Sequence, residues 1–132
     1  MTESCRKLRE KSFAFAVRIV KLVRFLEKER SEWVLSKQVM RSGTSVGANV
    51  RESRFAQSEA DYVSKLSIAL KEADETGYWL DLLHETDYIT AEQFDSLNSD
   101  LDLLIGTLVN IVKASKRKFS TKPSSVSRSK AL

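Results

Sequence analysis

Apolar positions recur at helical spacing along most of the chain, and four stretches each form a stripe. From about residue 6 to residue 29, Leu8, Phe15, Ala16, Ile19, Leu22, Val23 and Leu26 fall three or four apart, which aligns them on one side of a helix. Lys7, Lys11, Arg18, Lys21 and Lys28 project near the opposite side, so this first element is an amphipathic helix with a basic back. The polar run Lys28-Glu-Arg-Ser-Glu-Trp33 ends the stripe, and Ser31 is placed to N-cap a second helix reaching about residue 55.

The second pattern is less regular. Leu35, Val39, Val46 and Val50 form an apolar line, but Ser42, Gly43, Thr44, Ser45, Gly47, Ala48 and Asn49 interrupt it. Each glycine costs about 1 kcal/mol relative to alanine inside a helix, which leaves a loop at 42–47 as the alternative. The favoured reading is a continuous helix, because Gly43 and Gly47 are four apart and would form a smooth strip for a neighbouring backbone. Ser58, with Asp61 three residues on, marks the start of a third helix over about 59–87, with Tyr62, Leu66, Ala69, Leu70, Ala73, Gly77, Leu80 and His84 on one side. Thr90-Ala-Glu-Gln93 has the spacing of a capping box. Phe94, Leu97, Leu101, Leu104, Ile105, Leu108, Ile111 and Val112 follow as the cleanest stripe.

Four helices with short connections pack most simply as an antiparallel up-down four-helix bundle, an all-α fold occupying residues 1–119. A chain of 132 residues buries roughly two thirds of its unfolded surface, so one core suffices. Four glycines and one proline, Pro123, are too few turn residues for a strand-rich fold. The serine-rich basic stretch 120–132 has few apolar groups to offset its ordering entropy and is expected to be a disordered tail. No apolar run is long enough for a membrane span or a secretion signal, and the single Cys5 excludes an internal disulfide. A cytoplasmic protein with no membrane association is the reading.

Charge changes this picture by separating along the chain. Residues 1–30 carry +5 and residues 31–56 carry +2, whereas residues 57–112 carry −10 and residues 113–132 carry +7. The basic set Lys7, Lys11, Arg18 and Lys21, together with Lys113, Lys116, Arg117 and Lys118, admits two readings. One is a solvated or intersubunit face, with the C-terminal cations also favoured by the helix dipole. The other is a surface that neutralises a nucleic-acid backbone and releases its counterions.

Catalytic and metal chemistry finds little support. His84 is the only histidine and lies beside Leu80 on an apolar side, as a structural histidine would. Cys5 has no evident base partner, and Gly43-Thr-Ser-Val-Gly47 lacks the Lys-Ser/Thr ending of a phosphate loop. Glu72 and Glu75 share a helical face, but a di-iron bundle site needs two Glu-x-x-His motifs. Trp33 and Trp79 read as packing residues. No cofactor, metal or enzymatic activity is expected.

Two long motifs carry a family resemblance. Gln38-Val-Met-Arg41-Ser-Gly-Thr-Ser45-Val-Gly-Ala-Asn49-Val-Arg-Glu52 and Lys65-Leu-Ser-Ile-Ala-Leu-Lys-Glu72-Ala-Asp-Glu75-Thr-Gly-Tyr-Trp79-Leu resemble the bacterial four-helix-bundle family first found encoded in intervening sequences of 23S ribosomal RNA genes. The resemblance spans roughly residues 6–117, with Ser53 standing where the family usually has glycine. It implies an up-down bundle assembled as a homopentamer. The family includes the accessory variability determinant of diversity-generating retroelements, a basic pentamer that binds nucleic acid and a reverse transcriptase.

Arg41, Ser45, Asn49 and Glu52 recur at four, four and three residues, which aligns them as a polar ridge on a continuous helix. Glu72 and Glu75 are placed to face it, with Arg41 pairing to either and Asn49 bonding across helices. The combined expectation is a non-enzymatic, homo-oligomeric bundle that binds RNA or DNA through basic surfaces. The alternative is a protein–protein adaptor or scaffold that binds no nucleic acid.

Overall fold

A computed structural model describes residues 2–120, with side chains described for 2–118. Its four helices are α1 (Glu3–Arg30), α2 (Val34–Ser53), α3 (Glu59–Glu85) and α4 (Ala91–Ser120). Each packs on its neighbours in the order α1, α2, α3, α4 and back to α1, the closed circuit of an up-down bundle. The stripes meet along its axis: Phe15, Ile19 and Leu26 from α1, Val39, Val46 and Val50 from α2, Leu66, Ala69, Ala73, Leu80 and Leu83 from α3, and Leu97, Leu101, Leu104 and Leu108 from α4 are all buried. Helix α4 includes Ser120, the first residue assigned above to the tail; the remainder of that tail lies outside the described residues.

The helix ends follow local chemistry, with one correction. Ser58 accepts from the Asp61 amide at 3.0 Å, and Thr90 and Gln93 complete the reciprocal capping box at 3.1 and 2.8 Å. Ser31, however, does not start α2. It ends α1 in the left-handed conformation (φ 50°); Trp33 is the N-cap residue of α2 but makes no side-chain bond there, and Glu32, one position earlier, supplies the capping carboxylate. The Glu32 carboxylate accepts from the amides of Val34, Leu35 and Ser36 at 3.1, 2.8 and 2.7 Å, three of the donors that a helix start leaves unsatisfied. A carboxylate there also meets the positive end of the helix dipole.

Helix α2 is unbroken through residues 42–47, and its glycines explain why. A methyl group at Gly43 would lie 2.7 Å from Ile19 Cγ1, and one at Gly47 would lie 3.2 Å from the Ser12 carbonyl oxygen. Both are therefore close-approach points of α1 on α2. The polar residues beside them fold back on their own helix: Thr44, Ser45 and Asn49 donate to the carbonyls of Met40, Arg41 and Ser45 at 2.7, 2.6 and 2.9 Å. Ser53 closes α2 in the same way, its hydroxyl donating to the Val50 carbonyl at 2.6 Å.

Candidate functional site

The polar ridge is built on the facing sides of α2 and α3. One terminal nitrogen of the Arg41 guanidinium pairs with Glu75 and also donates to the Gln38 side-chain oxygen at 3.3 Å, while the other pairs with Glu72 at 3.3 Å. Trp79 donates its indole N–H to Glu75 at 2.9 Å. That bond, followed by the Arg41 interactions, holds the Glu75 carboxyl below the usual glutamate value. At the far end Glu52 pairs with Lys65 at 3.5 Å. Asn49 differs from expectation: its amide bonds within α2 to Ser45 instead of reaching α3, because the i−4 carbonyl lies closer to hand. Beneath the ridge, the buried hydroxyls of Ser42 and Thr76 meet at 2.9 Å. The bonds of Arg41 to Glu72 and Glu75, of Lys65 to Glu52 and between Ser42 and Thr76 join α2 to α3, which makes the network a clamp between helices.

The basic residues are brought together by topology. Antiparallel packing sets the start of α1 beside the end of α4, and Arg18 fixes the register: it donates to the Ser96 carbonyl at 3.1 Å and pairs with Asp100 at 2.8 Å. With equal rise per residue on both helices, Lys11 then stands level with about residues 103–107 and Lys7 with about 107–111, within a turn of Lys113. Lys7, Lys11, Lys113, Lys116, Arg117 and Lys118 are all solvent-facing in part or in full at this end. Arg18 itself is committed to α4, and Lys21 lies a turn further from the cluster.

Dividing each helix at its midpoint shows how complete the separation is. The half holding residues 3–16, 44–71 and 106–120 has twelve Lys/Arg against five Asp/Glu, and the half holding residues 17–43 and 72–105 has seven against thirteen. The molecule is electrically bipolar along its axis. Sequence patterning does not disclose the part of this that comes from Arg9, Arg51 and Arg54. All three line one groove between α1 and α2, and Arg54 also shares a cavity with Lys118. The signal for them is the meeting of the α1 start with the α2 end, visible only once the bundle is closed.

Other chemical candidates are absorbed into packing. His84 stacks on Phe94 with ring centres 4.6 Å apart. Cys5 lies with its sulfur 3.2 Å from the Tyr62 hydroxyl, whose ionisation is pushed up by burial and then by the Cys5 bond. Among the described residues no group of three or more His, Cys, Asp or Glu could hold a metal ion, and no helix is long and apolar enough to cross a membrane.

Comparison with known proteins agrees with this geometry. No curated protein matches the chain. Among solved structures, a protein of unknown function from the S23 ribosomal protein family of Bacteroides thetaiotaomicron VPI-5482 is 54% identical, with a TM-score of 0.83 over 83% of this chain and 98% of that one. The model of the 23S rRNA-intervening sequence proteins matches residues 6–110, a span that contains both the α2–α3 clamp and its packing against α1 and α4. The chain thus belongs to the 23S rRNA-intervening sequence protein family.

Proposed function

We propose that this protein is a non-enzymatic, self-associating bundle that grips the phosphate backbone of RNA or DNA with the basic end of α1 and α4. The carrying observation is the register that puts Lys7 within about a turn of Lys113, with Lys11 one turn further along α1, so that two basic segments distant in sequence lie at one end of the bundle. Lysines on exposed helix faces neutralise phosphates without reading bases, so affinity would be strongly salt-dependent and weakly sequence-dependent. Several copies would add their contacts by avidity, with five the number the family resemblance suggests. The same resemblance makes a reverse transcriptase a candidate partner. The lone Cys5 fits a reducing compartment such as the cytoplasm.

The test is binding of labelled RNA and DNA duplexes across a salt series, comparing the full chain with a variant carrying Lys7→Ala, Lys11→Ala, Lys113→Ala and Lys116→Ala. The expected result is a log–log salt slope reduced by about one unit for each lysine that no longer neutralises a phosphate. Absence of binding by the unmodified chain at low salt, or an unchanged slope in the variant, overturns the proposal. A bipolar charge distribution also favours a second reading, a scaffold that binds only protein. Self-association without any nucleic-acid binding would select it.

A further inference from the structure

A groove of about 580 Å³ between α1 and α2 joins an exposed ring to a group of cations. Its floor is plain: Gly47 brings α2 against the Ser12 carbonyl, and Ala16 and Ala48 offer only methyl groups beside it. Beside that floor stands Phe13, a ring that is 68% exposed. Around the groove are three guanidinium groups, those of Arg9, Arg51 and Arg54. Their order follows from the register, since Gly47 is level with Ser12 on the antiparallel helix. Arg51 stands about 6 Å further toward the start of α1, near the height of Arg9, and Arg54 about 4.5 Å beyond it. Phe13 lies about 6 Å from Arg9 in the other direction.

These three arginines lack acidic partners within the chain. Arg6, Arg18 and Arg41 each meet a carboxylate. Among the described residues, by contrast, the side chains of Arg9 and Arg51 make no hydrogen bond or ion pair, and that of Arg54 lies only over the Phe55 ring, 4.8 Å from its centre. Glu10, the one acid at the groove, is taken by Arg6 at 3.9 Å. The helix dipole does not account for the set. Arg51 and Arg54 stand at the end of α2, where cations are favoured, yet the Val50, Glu52 and Ser53 carbonyls there already accept from the Ser53 hydroxyl and the Phe55 and Ala56 amides. Arg9 is half-buried, far from the C-terminal end of α1, and gains nothing from the dipole. Like charges gathered without an acid raise the energy of the free molecule, and an anion seated among them lowers it.

We infer that this groove binds single-stranded nucleic acid, with one base stacked on Phe13 and the neighbouring phosphates held by Arg9, Arg51 and Arg54. The inference rests on the nucleic-acid reading proposed above and adds to it a second contact surface and a preference for strands over duplexes. The two surfaces are distinct. Arg9 lies about 200° around α1 from both Lys7 and Lys11, so the lysines and this groove occupy different flanks of the same helix.

The ring and the arginines together select this ligand. A cationic groove that tracks the backbone, beside an aromatic ring that carries bases, holds single strands without regard to their sequence. A guanidinium pairs with phosphate oxygens through two parallel bonds and also lies over rings, as Arg54 does over Phe55. A duplex keeps its bases stacked on one another, out of reach of Phe13, and a groove between helix axes about 8–10 Å apart is too narrow to admit it. An acidic peptide would satisfy the arginines equally well but would leave Phe13 without a stacking partner.

Fluorescence anisotropy of the full chain tests the groove, using a labelled DNA strand of about 12 nucleotides, the same strand in a duplex, and an abasic strand of equal length. The variants are Phe13→Ala, Phe13→Trp and Arg51→Ala/Arg54→Ala. All three side chains are exposed, and unchanged circular dichroism verifies that each variant is folded. Phe13→Ala is expected to weaken binding of the strand about tenfold, and to leave its salt slope, the duplex and the abasic strand unaffected. Phe13→Trp keeps a ring and should bind the strand at least as well as the unmodified chain. Arg51→Ala/Arg54→Ala should lower the strand's log–log salt slope by about 0.7 for each phosphate released. If nucleic acid binds but Phe13→Ala affects strand, duplex and abasic strand alike, or the arginine variant keeps its slope, the groove is wrongly assigned while the lysine surface stands. Polyglutamate bound as tightly as the strand, and equally weakened by the arginine changes, would assign the groove to an acidic protein and overturn the inference. Absence of binding to any of the nucleic acids at low salt overturns the nucleic-acid reading itself.

Discussion

Arg41 on α2 and Glu75 on α3, 34 positions apart in sequence, form an ion pair whose acid is held from its other side by the Trp79 indole. The arrangement makes stability depend on pH in a defined direction. Glu75 titrates below the ordinary glutamate value of about 4.3 when folded, so its contribution is present at neutral pH and is lost as pH falls through the folded value. Trp79→Phe removes the first cause of that shift. Thermal midpoints of the two proteins should therefore differ most at pH 7 and draw together below about pH 4. Parallel curves across that range would count against the pair. Arg41 is 49% exposed, so Arg41→Ala is expected to cost about 1 kcal/mol or less at pH 7.

The start of α2 yields a sharper prediction, because one side chain holds three backbone donors there. Glu32→Ala leaves the amides of Val34, Leu35 and Ser36 without their carboxylate acceptor, and a loss of about 1–2 kcal/mol is expected in urea unfolding. Glu32→Gln keeps one acceptor oxygen and should lose less. Ser31→Gly acts in the opposite sense. A glycine tolerates the left-handed backbone at φ 50° that ends α1, so this variant is expected to gain up to about 1 kcal/mol. A midpoint unchanged by either Glu32→Ala or Ser31→Gly would contradict this account of the turn.

These positions show what the sequence could and could not disclose. The stripes, the Ser58 cap and the Thr90–Gln93 box are written in spacings of three and four residues, the period that local helix geometry imposes, and were legible for that reason. The turn at 31–33 was not. Serine is the commoner N-cap, and nothing local reveals that Ser31 takes a positive φ and passes the role to Glu32. The ridge was legible as a line of polar residues, but the partner of Asn49 was not, since bonds within α2 and across to α3 satisfy the same pattern. The candidate site divided similarly. Lysine runs are visible in sequence, whereas the clustering of Lys7 with Lys113, and the groove edged by Arg9 and Arg51, exist only after four helices close on one another.

The glycines of α2 provide the strictest test of that closure. Gly43→Ala should improve helix propensity, yet its new methyl group would stand 2.7 Å from Ile19 Cγ1 and 2.9 Å from Cγ2, inside normal van der Waals contact with a buried branched side chain. Ile19 is fully buried and has no free rotamer to move into without displacing the core, so the packing penalty should exceed the propensity gain. A net loss of about 1–3 kcal/mol is expected. Ile19→Ala alone also destabilises, by opening a cavity. Combined with Gly43→Ala it should cost less than the sum of the two, because the added methyl occupies part of the space that Ile19 vacates. Strict additivity in that double-mutant cycle would mean that α1 and α2 do not meet at this point.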